Sequence, residues 1–179
     1  MSLSWTSSNQ RELSQSGDGS QIFTCDDKAV YVRTTEQIPI DLSTYSYEVQ
    51  IKESGNDYPI RIGFVSNIPE IGNRLPEDLD DNTVGIHLND KAIHFRGIKT
   101  VEFEGKVSAG DVIGCHLMRI IIEDVSYAIC EFHLNGEFIG DQLIQQTSIY
   151  PCMWVTKSTN KVILKPNLGE TTYVHYPGI

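Results

Sequence analysis

The sequence contains 179 residues, of which 40% are hydrophobic and 21% are charged, so a single globular domain with its own core is expected. Acidic residues outnumber basic ones by 24 to 14, which gives a formal net charge of −10. A surface of this sign repels a phosphate backbone, so nucleic acid is not expected as a partner. A basic peptide, or a surface without strong charge, fits better.

The four cysteines are widely spaced and form no C-x-x-C pair, which argues against a zinc ribbon or a redox motif: Cys25, Cys115, Cys130 and Cys152. The start of the chain shows no secretory signal, and no apolar run approaches the roughly 20 residues that cross a bilayer. We therefore expect free thiols, no membrane contact and an intracellular location in the cytoplasm, the nucleus or both. A disulfide between Cys115 and Cys130 across a hairpin stays open.

Residues 1–20 are rich in Ser, Gln and Gly and show no hydrophobic period. We predict a loose N-terminal tail there, with Trp5 and Leu13 as anchors on the domain. The domain itself is predicted to cover residues 21–170, and residues 171–179 are assigned to a C-terminal tail.

Short strands follow one another through the predicted domain. Tyr45–Lys52 alternates strictly between apolar and polar residues, as expected for a strand with one solvent-exposed face. Ile60–Val65 continues this pattern. The residues between them are a cluster of turn formers. Further strands are predicted at Ala29–Arg33, Thr83–Leu88, Ala92–Phe95, Val112–Ile122, Tyr127–Leu134, Tyr150–Thr156 and Lys161–Lys165.

Two turns predict hairpins. Asn135-Gly136 lies between two apolar runs and is the strongest short hairpin signal, while Asn89-Asp90 is a weaker one. No segment has a convincing helical period. Many short strands with regularly spaced turns predict an all-β sandwich or barrel.

The motifs and their order resemble the SPRY family. Residues 45–64 are similar to its aromatic-rich YFEV-I strand followed by a loop and an IGIG strand. Gly110–Cys115 reads GDVIGC, as in the family signature, and Phe132–Gly140 resembles F-xx-NG-xx-LG. Tyr150-Pro151 and, later, Asn167–Gly169 resemble the closing LYP…NFG pattern.

Within this family the sequence is most similar to the Ran-binding-protein-M-type branch. Val32–Thr34 with Ile38-Pro39 resembles VRA-x-PIP, and Asn73–Pro76 resembles the start of an NRLPGWD loop. The Gly-Trp of that loop is replaced by Glu77-Asp78. Thr156–Ser158 stands where another branch has the Trp-Gly pair of a peptide pocket, so neither branch's partner carries over to this chain.

The resemblance implies an all-β fold, a bent two-sheet antiparallel β-sandwich of the B30.2/SPRY, concanavalin A-like jelly-roll type. It further implies a binding surface for a protein or peptide formed by loops at one end. Members serve as recognition modules, scaffolds and adaptors in ubiquitin-ligase and chromatin complexes. By this resemblance the chain is no enzyme and needs no cofactor.

We predict that a partner binds through three loops at one end, Glu53–Pro59, Asn67–Asn82 and Thr156–Asn160, with Trp154 nearby. The residues that we predict to contact it are Tyr58, Arg74, Leu75, Glu77, Asp78, Trp154 and Lys157. Most belong to the loop Asn67–Asn82, which is long for a connection and places apolar residues among acids, with Arg74 its only base. Such a loop suits a basic, partly apolar peptide. The alternative, that its leucines and isoleucines only hold the loop on the sheet, stays open.

Trp154 has two interpretations. Met153 and Val155 occupy inward positions of the family pattern, so Trp154 should point to the other face. It is either an exposed recognition residue or a sheet-face tryptophan covered by a loop or by the N-terminal segment. The first interpretation predicts that Trp154→Ala or Leu75→Ala weakens binding and leaves the melting temperature nearly unchanged.

No metal or catalytic site is predicted. Four histidines fall within predicted strands without a partner at ligand spacing: His87, His94, His116 and His133. Asp78–Asn82 imitates the start of a calcium loop but lacks the required Gly and Glu further on. Glu48 and Glu131 alternate onto polar faces and are interpreted as ordinary surface charge.

Two other function classes stay as alternatives. A lectin-like carbohydrate-binding module requires exposed aromatic residues beside Asn and Asp on a concave face. A hydrolase requires a pair of carboxylates in a cleft.

Overall fold

The structure of the chain, a computed structural model, describes residues 4–7, 13–15, 21–25, 30–53, 60–66, 83–145, 148–155 and 162–168. These residues form fourteen β-strands: β1 (Trp5–Ser7), β2 (Leu13–Gln15), β3 (Gln21–Cys25), β4 (Val30–Thr34), β5 (Thr44–Glu53), β6 (Ile60–Ser66), β7 (Thr83–His87), β8 (Ala92–Phe95), β9 (Ile98–Glu102), β10 (Val112–Ile122), β11 (Val125–Leu134), β12 (Glu137–Ile144), β13 (Ile149–Val155) and β14 (Val162–Leu168). Within the described part of the chain no helix is long and apolar enough to cross a membrane.

The strands form two seven-stranded sheets, in which every strand pair is antiparallel. The first sheet has the order β1-β4-β13-β6-β7-β8-β9, and the second has the order β12-β11-β10-β5-β14-β3-β2. Side chains from the facing sides of both sheets fill one hydrophobic core. The predicted all-β sandwich is thereby confirmed.

Aromatic side chains join the two sheets in this core. The Tyr47 ring of β5 meets the Phe64 ring of β6 edge to face, with centroids 5.6 Å apart. The Tyr47 hydroxyl donates to the carbonyl oxygen of Gly63, and the carbonyl oxygen of Cys152 lies 3.1 Å from it. A hydroxyl from one sheet therefore contacts the backbone of the other, which fixes how the sheets are placed on each other.

Every strand predicted from residue 29 onward is present, with ends that differ by a few residues. At the Asn135-Gly136 turn both residues have positive φ, 52° and 87°, as this type of two-residue hairpin demands. Asn89-Asp90 also lies in a hairpin turn, between β7 and β8. Two further hairpins, at Arg96-Gly97 and Glu123-Asp124, were not predicted, because the first residue of each turn, Arg96 or Glu123, is not a typical turn former.

The predicted tail of residues 1–20 is wrong for the described residues within it. Trp5–Ser7 pairs with β4 at the edge of the first sheet, and Leu13–Gln15 pairs with β3 at the edge of the second. The Trp5 ring is buried against Tyr47, with centroids 5.8 Å apart, so Trp5 is an anchor as predicted. Strands of three residues are too short to show a period, whereas their backbone hydrogen bonds and one buried indole suffice to hold them.

Candidate functional site

Of the residues predicted to contact a partner, the structure describes Trp154. Outside the described residues lie Tyr58, Arg74, Leu75, Glu77, Asp78 and Lys157. The assignment of these six therefore stays a prediction, and so do the interpretations of the acidic loop 67–82.

The strand ends show where the predicted loops start and finish. The strand ends that flank residues 54–59 and 156–161 lie at the same end of the sandwich, because Ile60 pairs with Val155 and Glu53 pairs with Ile163. Residues 67–82 begin after Ser66, at the opposite end of β6, about 20 Å away for a strand of this length. The prediction that all three loops depart from one end is therefore corrected: an antiparallel strand carries the chain from one end to the other.

Trp154 is buried, with 0% of its surface exposed, so the prediction of an exposed recognition residue is corrected. The predicted alternation holds, since Met153 and Val155 belong to the core between the sheets while Trp154 points to the outer face of the first sheet. There it packs with Tyr31, Val65 and Cys152, a set that we call the outer cluster. Trp154 is the covered sheet-face tryptophan of the second interpretation.

Two polar side chains, Arg61 and His87, contact the indole ring of Trp154. The directly paired residues Trp154, Arg61 and His87 form a row across β13, β6 and β7. The Arg61 guanidinium carbon lies 5.8 Å from the centroid of the indole, and the His87 ring meets the indole edge to face at 5.8 Å. Cation–π and edge-to-face contacts of this kind add to the stability gained by burying the ring.

His87, Asp90 and His94 bring three metal-binding atoms within 4.8 Å of one another at the hairpin between β7 and β8. The two imidazole rings are stacked, with centroids 3.8 Å apart and planes 14° apart. A metal ion must lie near the plane of each imidazole that binds it, and stacked rings direct their lone pairs side by side. The observed geometry therefore fits a stacked pair held by Asp90, 3.2 Å from His94 Nε2, rather than a metal centre.

The same surroundings determine the charge of His87. Burial, then the Arg61 guanidinium and the neighbouring His94 lower the pKa of His87 to about 2. The Asp90 carboxylate lies 3.9 Å from His87 Nδ1, which by itself favours the protonated form, but burial outweighs this longer contact. His87 is consequently neutral at physiological pH and too weak a base for general-base catalysis near pH 7.

The three cysteines with described side chains, Cys115, Cys130 and Cys152, are free and buried. Burial raises the pKa of all three thiols, and for Cys152 the nearby Cys115 adds to this effect. A reactive cysteine needs a lowered pKa and access to solvent. These thiols are structural rather than nucleophilic, and Cys115 and Cys130 form no disulfide.

Comparison with known proteins gives structural neighbours only. No protein-family model matches the sequence, and no curated protein is significantly similar to it. A human SPRY domain superposes with a TM-score of 0.66 at 20% identity, over 94% of this chain and 99% of that one. The SPRY domain of human HERC1 superposes with a TM-score of 0.61 at 16% identity, over 89% and 94%. The fold is that of SPRY domains.

This fold is shared more widely. The carbohydrate-binding module CBM66 from Bacillus subtilis superposes with a TM-score of 0.54 at 12% identity, over 92% of both chains. At such identities the likeness concerns the arrangement of strands. Neither the Ran-binding-protein-M-type branch nor a shared site follows from it.

One polar cluster was missed at the level of sequence. Glu48, interpreted as surface charge, is fully buried on the outer face of the second sheet of the SPRY fold, beside His116 and His133. His116 Nδ1 lies 2.9 Å from Ser46 Oγ, and the His116 and His133 rings meet edge to face at 4.7 Å. The Glu131 carboxylate lies 3.8 Å from His133 Nε2. Strand alternation placed these residues on the outward side but carries no information on what covers that side.

Proposed function

We propose that the chain is a non-catalytic protein-interaction module of the SPRY type, which holds a segment of another protein on the surface of a rigid β-sandwich. A rigid scaffold loses little conformational entropy on binding, which favours affinity. The main support is the SPRY fold, found together with the family-like motifs Gly110–Cys115 and Phe132–Gly140.

The proposed contact regions are the loops in which the predicted residues lie. Residues 54–59, with Tyr58, and 156–161, with Lys157, leave adjacent strand ends and can serve one partner together. The loop with Arg74, Leu75, Glu77 and Asp78 departs from the other end of β6 and is proposed as a separate contact region. The net charge of −10 favours a basic partner over an acidic one.

The cellular setting is also part of this proposal. The three buried free thiols are compatible with a reducing, intracellular compartment, in the cytoplasm or the nucleus. Membership of a ubiquitin-ligase or chromatin complex is proposed from the family resemblance alone. The Ran-binding-protein-M-type branch rests on Val32–Thr34, Ile38-Pro39 and Asn73–Pro76.

A lectin-like carbohydrate-binding module is the second candidate. It is favoured by the likeness to the carbohydrate-binding module CBM66, whose TM-score of 0.54 lies below those of the two SPRY domains. A protein partner remains the first proposal because of the SPRY-like motifs.

Selection of ligands separates the two candidates. The chain is immobilised and offered a displayed library of random 12-residue peptides, and in parallel it is applied to a glycan array. We expect peptides to be enriched and the glycan array to stay blank. Binding of glycans without enrichment of peptides would refute the protein-interaction proposal and favour the carbohydrate-binding one.

Loop variants then map the contact region. We expect Tyr58→Ala or Lys157→Ala to weaken a selected peptide if the end with loops 54–59 and 156–161 binds it, and Leu75→Ala to weaken it if loop 67–82 does. Ile98→Thr, at a residue that is 69% exposed on the edge strand β9, serves as the control for these loops. A peptide that binds all the loop variants as tightly as the wild type would remove these loops from the proposal.

A further inference from the structure

An apolar surface lies on the outer face of the second sheet, where β10, β11 and β12 run side by side. Met118, Ile129 and Leu143 are direct cross-strand neighbours and form one row. Ile120 and Ile122 continue this face along β10 towards the hairpin turn. We call these five residues the hairpin patch.

The hairpin patch is open to solvent. Met118 is 40% exposed, Leu143 45% and Ile122 46%, while Ile120 and Ile129 are half-buried. The register between β10 and β5 ends at Met118, whereas the pairing of β10 with β11 continues to Ile122, so the hairpin projects beyond its neighbour. Contiguous apolar surface of this kind is rare on proteins that bind nothing and marks interaction sites.

Acidic residues border the hairpin patch at both ends. Glu123 and Asp124 form the turn at the tip, and both are exposed. At the other end the next cross-strand row contains Glu131 and Asp141. The only Lys or Arg between residues 112 and 145 is Arg119, which lies on the opposite side of β10 and donates to the carbonyl oxygen of Ile38. His116 and His133 lie beside Glu131, and the other charged residues of the two borders are acidic.

From these observations we infer that the hairpin patch binds an extended segment of a partner protein in which basic residues flank apolar ones. The inference rests on the proposed function and adds a binding surface outside the loops named there, together with the chemistry of the partner segment. From Ile122 to His116 the strand extends about 20 Å, which an extended segment of about six residues spans. Apolar side chains of the segment cover the patch, and its flanking Lys or Arg side chains meet the two acidic borders.

A second copy of this chain is the competing occupant of the patch. Two copies would bring the same acidic borders together, and each carries a net charge of −10. Like charges that face each other across an interface weaken it, so the charge pattern favours a basic partner.

The test uses the full chain and peptides selected from the displayed library. We expect selected peptides to contain Lys or Arg on both sides of apolar residues. Fluorescence anisotropy of a labelled synthetic copy then measures Kd. Ile122→Thr is expected to raise Kd about tenfold, because an exposed apolar contact of the site is lost while strand propensity is kept.

A matched control and a charge variant complete the design. Ile98→Thr removes an equally large side chain that is 69% exposed on the first sheet, and it should change Kd less than about twofold. Glu131→Gln combined with Asp141→Asn should weaken binding several-fold and flatten its dependence on salt, since two charge contacts disappear. The charge variant leaves the apolar residues intact and reports on the site independently of Ile122.

The outcomes separate this inference from the proposed function. Selected peptides that bind the Ile122→Thr and the charge variant as tightly as the wild type would overturn the hairpin patch and leave the protein-interaction proposal standing. If no peptide is selected, the proposed function itself fails. If sedimentation shows a wild-type dimer that Ile122→Thr converts to a monomer, the patch is an interface between copies and the inference is wrong.

Discussion

The outer faces of the two sheets both carry apolar side chains, but these side chains are buried on the first sheet and exposed to solvent on the second. On the first sheet Trp154, Val65 and Cys152 are buried, and Arg61 and His87 lie against the indole. On the second sheet Met118 and Leu143 remain 40% or more exposed. The same period of two produces both faces, so the pattern of a strand tells which side a residue takes and not whether that side is covered.

This difference separates stability from recognition. Burial of a large side chain contributes to the free energy of folding, while exposed apolar surface contributes only when another molecule covers it. The outer cluster should therefore respond to substitution through the stability of the domain. The hairpin patch should respond through binding and leave stability unchanged.

The largest expected effect is on the outer cluster. Trp154→Ala removes a fully buried indole and should lower the free energy of unfolding by about 3–5 kcal/mol, because it leaves a cavity between Tyr31 and Val65. For a domain of this size the melting temperature should fall by roughly 10 °C. Thermal unfolding followed by circular dichroism measures this change.

Phe138→Ala is the matched control for this comparison, since Phe138 is an aromatic residue 58% exposed on the outer face of the second sheet. Its substitution should change the free energy of unfolding by less than about 1 kcal/mol. A melting temperature that stays within 2 °C or so of the wild type in Trp154→Ala would contradict burial and restore the exposed interpretation of this residue.

Acid should destabilise the domain through two buried histidines, His87 beside Trp154 on the first sheet and His116 beside Glu48 on the second. Burial, Arg61 and His94 lower the pKa of His87 to about 2, and burial and His133 lower that of His116 to about 4, from an ordinary value of 6.5. The unfolded chain binds protons below about pH 6.5 that the folded chain does not, so this part of stability is complete above that pH and is lost as the pH falls. The loss ends near pH 4 for His116 and continues towards pH 2 for His87.

Urea unfolding at pH 7, 6, 5 and 4.5 measures this slope. Each neutral buried histidine contributes about 1.4 kcal/mol per pH unit below its unfolded pKa. His87→Asn and His116→Gln should each flatten the curve by that amount relative to the wild type, whatever their stability at pH 7. Parallel curves for wild type and variant would mean that the histidine has the same pKa in the folded and the unfolded chain.

The alkylation rate of the Cys152 thiol reports locally on how far water reaches the outer cluster. Cys152 packs in the outer cluster, and burial together with Cys115 raises its pKa, so alkylation of the native protein should be slow. In Trp154→Ala the labelling rate should rise about tenfold under native conditions, because a neighbour that excludes water is gone. Peptide mass spectrometry after iodoacetamide treatment measures it, and Phe138→Ala should leave the rate as in the wild type.

Much of the fold could be predicted from the sequence because its signals are local. Alternation placed Met153 and Val155 inside and Trp154 outside, and Asn135-Gly136 predicted its hairpin by the need for positive φ. The Glu123-Asp124 turn also has two positive φ values, 49° and 62°, but without glycine it gave no signal.

The candidate site could be predicted much less well, because it depends on contacts between residues far apart in the chain. The burial of Glu48 and Trp154 follows from what lies over each sheet, which no single strand encodes. The close approach of β6 and β7 at Gly63 and Gly85 also depends on residues far apart in the chain. A Cβ on Gly63 would lie 2.5 Å from the Gly85 Cα. The hairpin patch likewise appears only once β10, β11 and β12 are aligned in register.

The smallest expected effect on stability belongs to the hairpin patch itself. Ile122→Thr combined with Leu143→Thr should leave the free energy of unfolding within about 1 kcal/mol of the wild type, since both side chains are already 45% or more exposed. Retention on a phenyl column should nevertheless fall clearly, because the resin contacts contiguous apolar surface. Ile98→Thr, although Ile98 is 69% exposed, should shorten retention less, since Ile98 is not part of the patch. Equal losses of retention would mean that exposed apolar residues act singly, and the contrast between a covered and an open face would then predict nothing about binding.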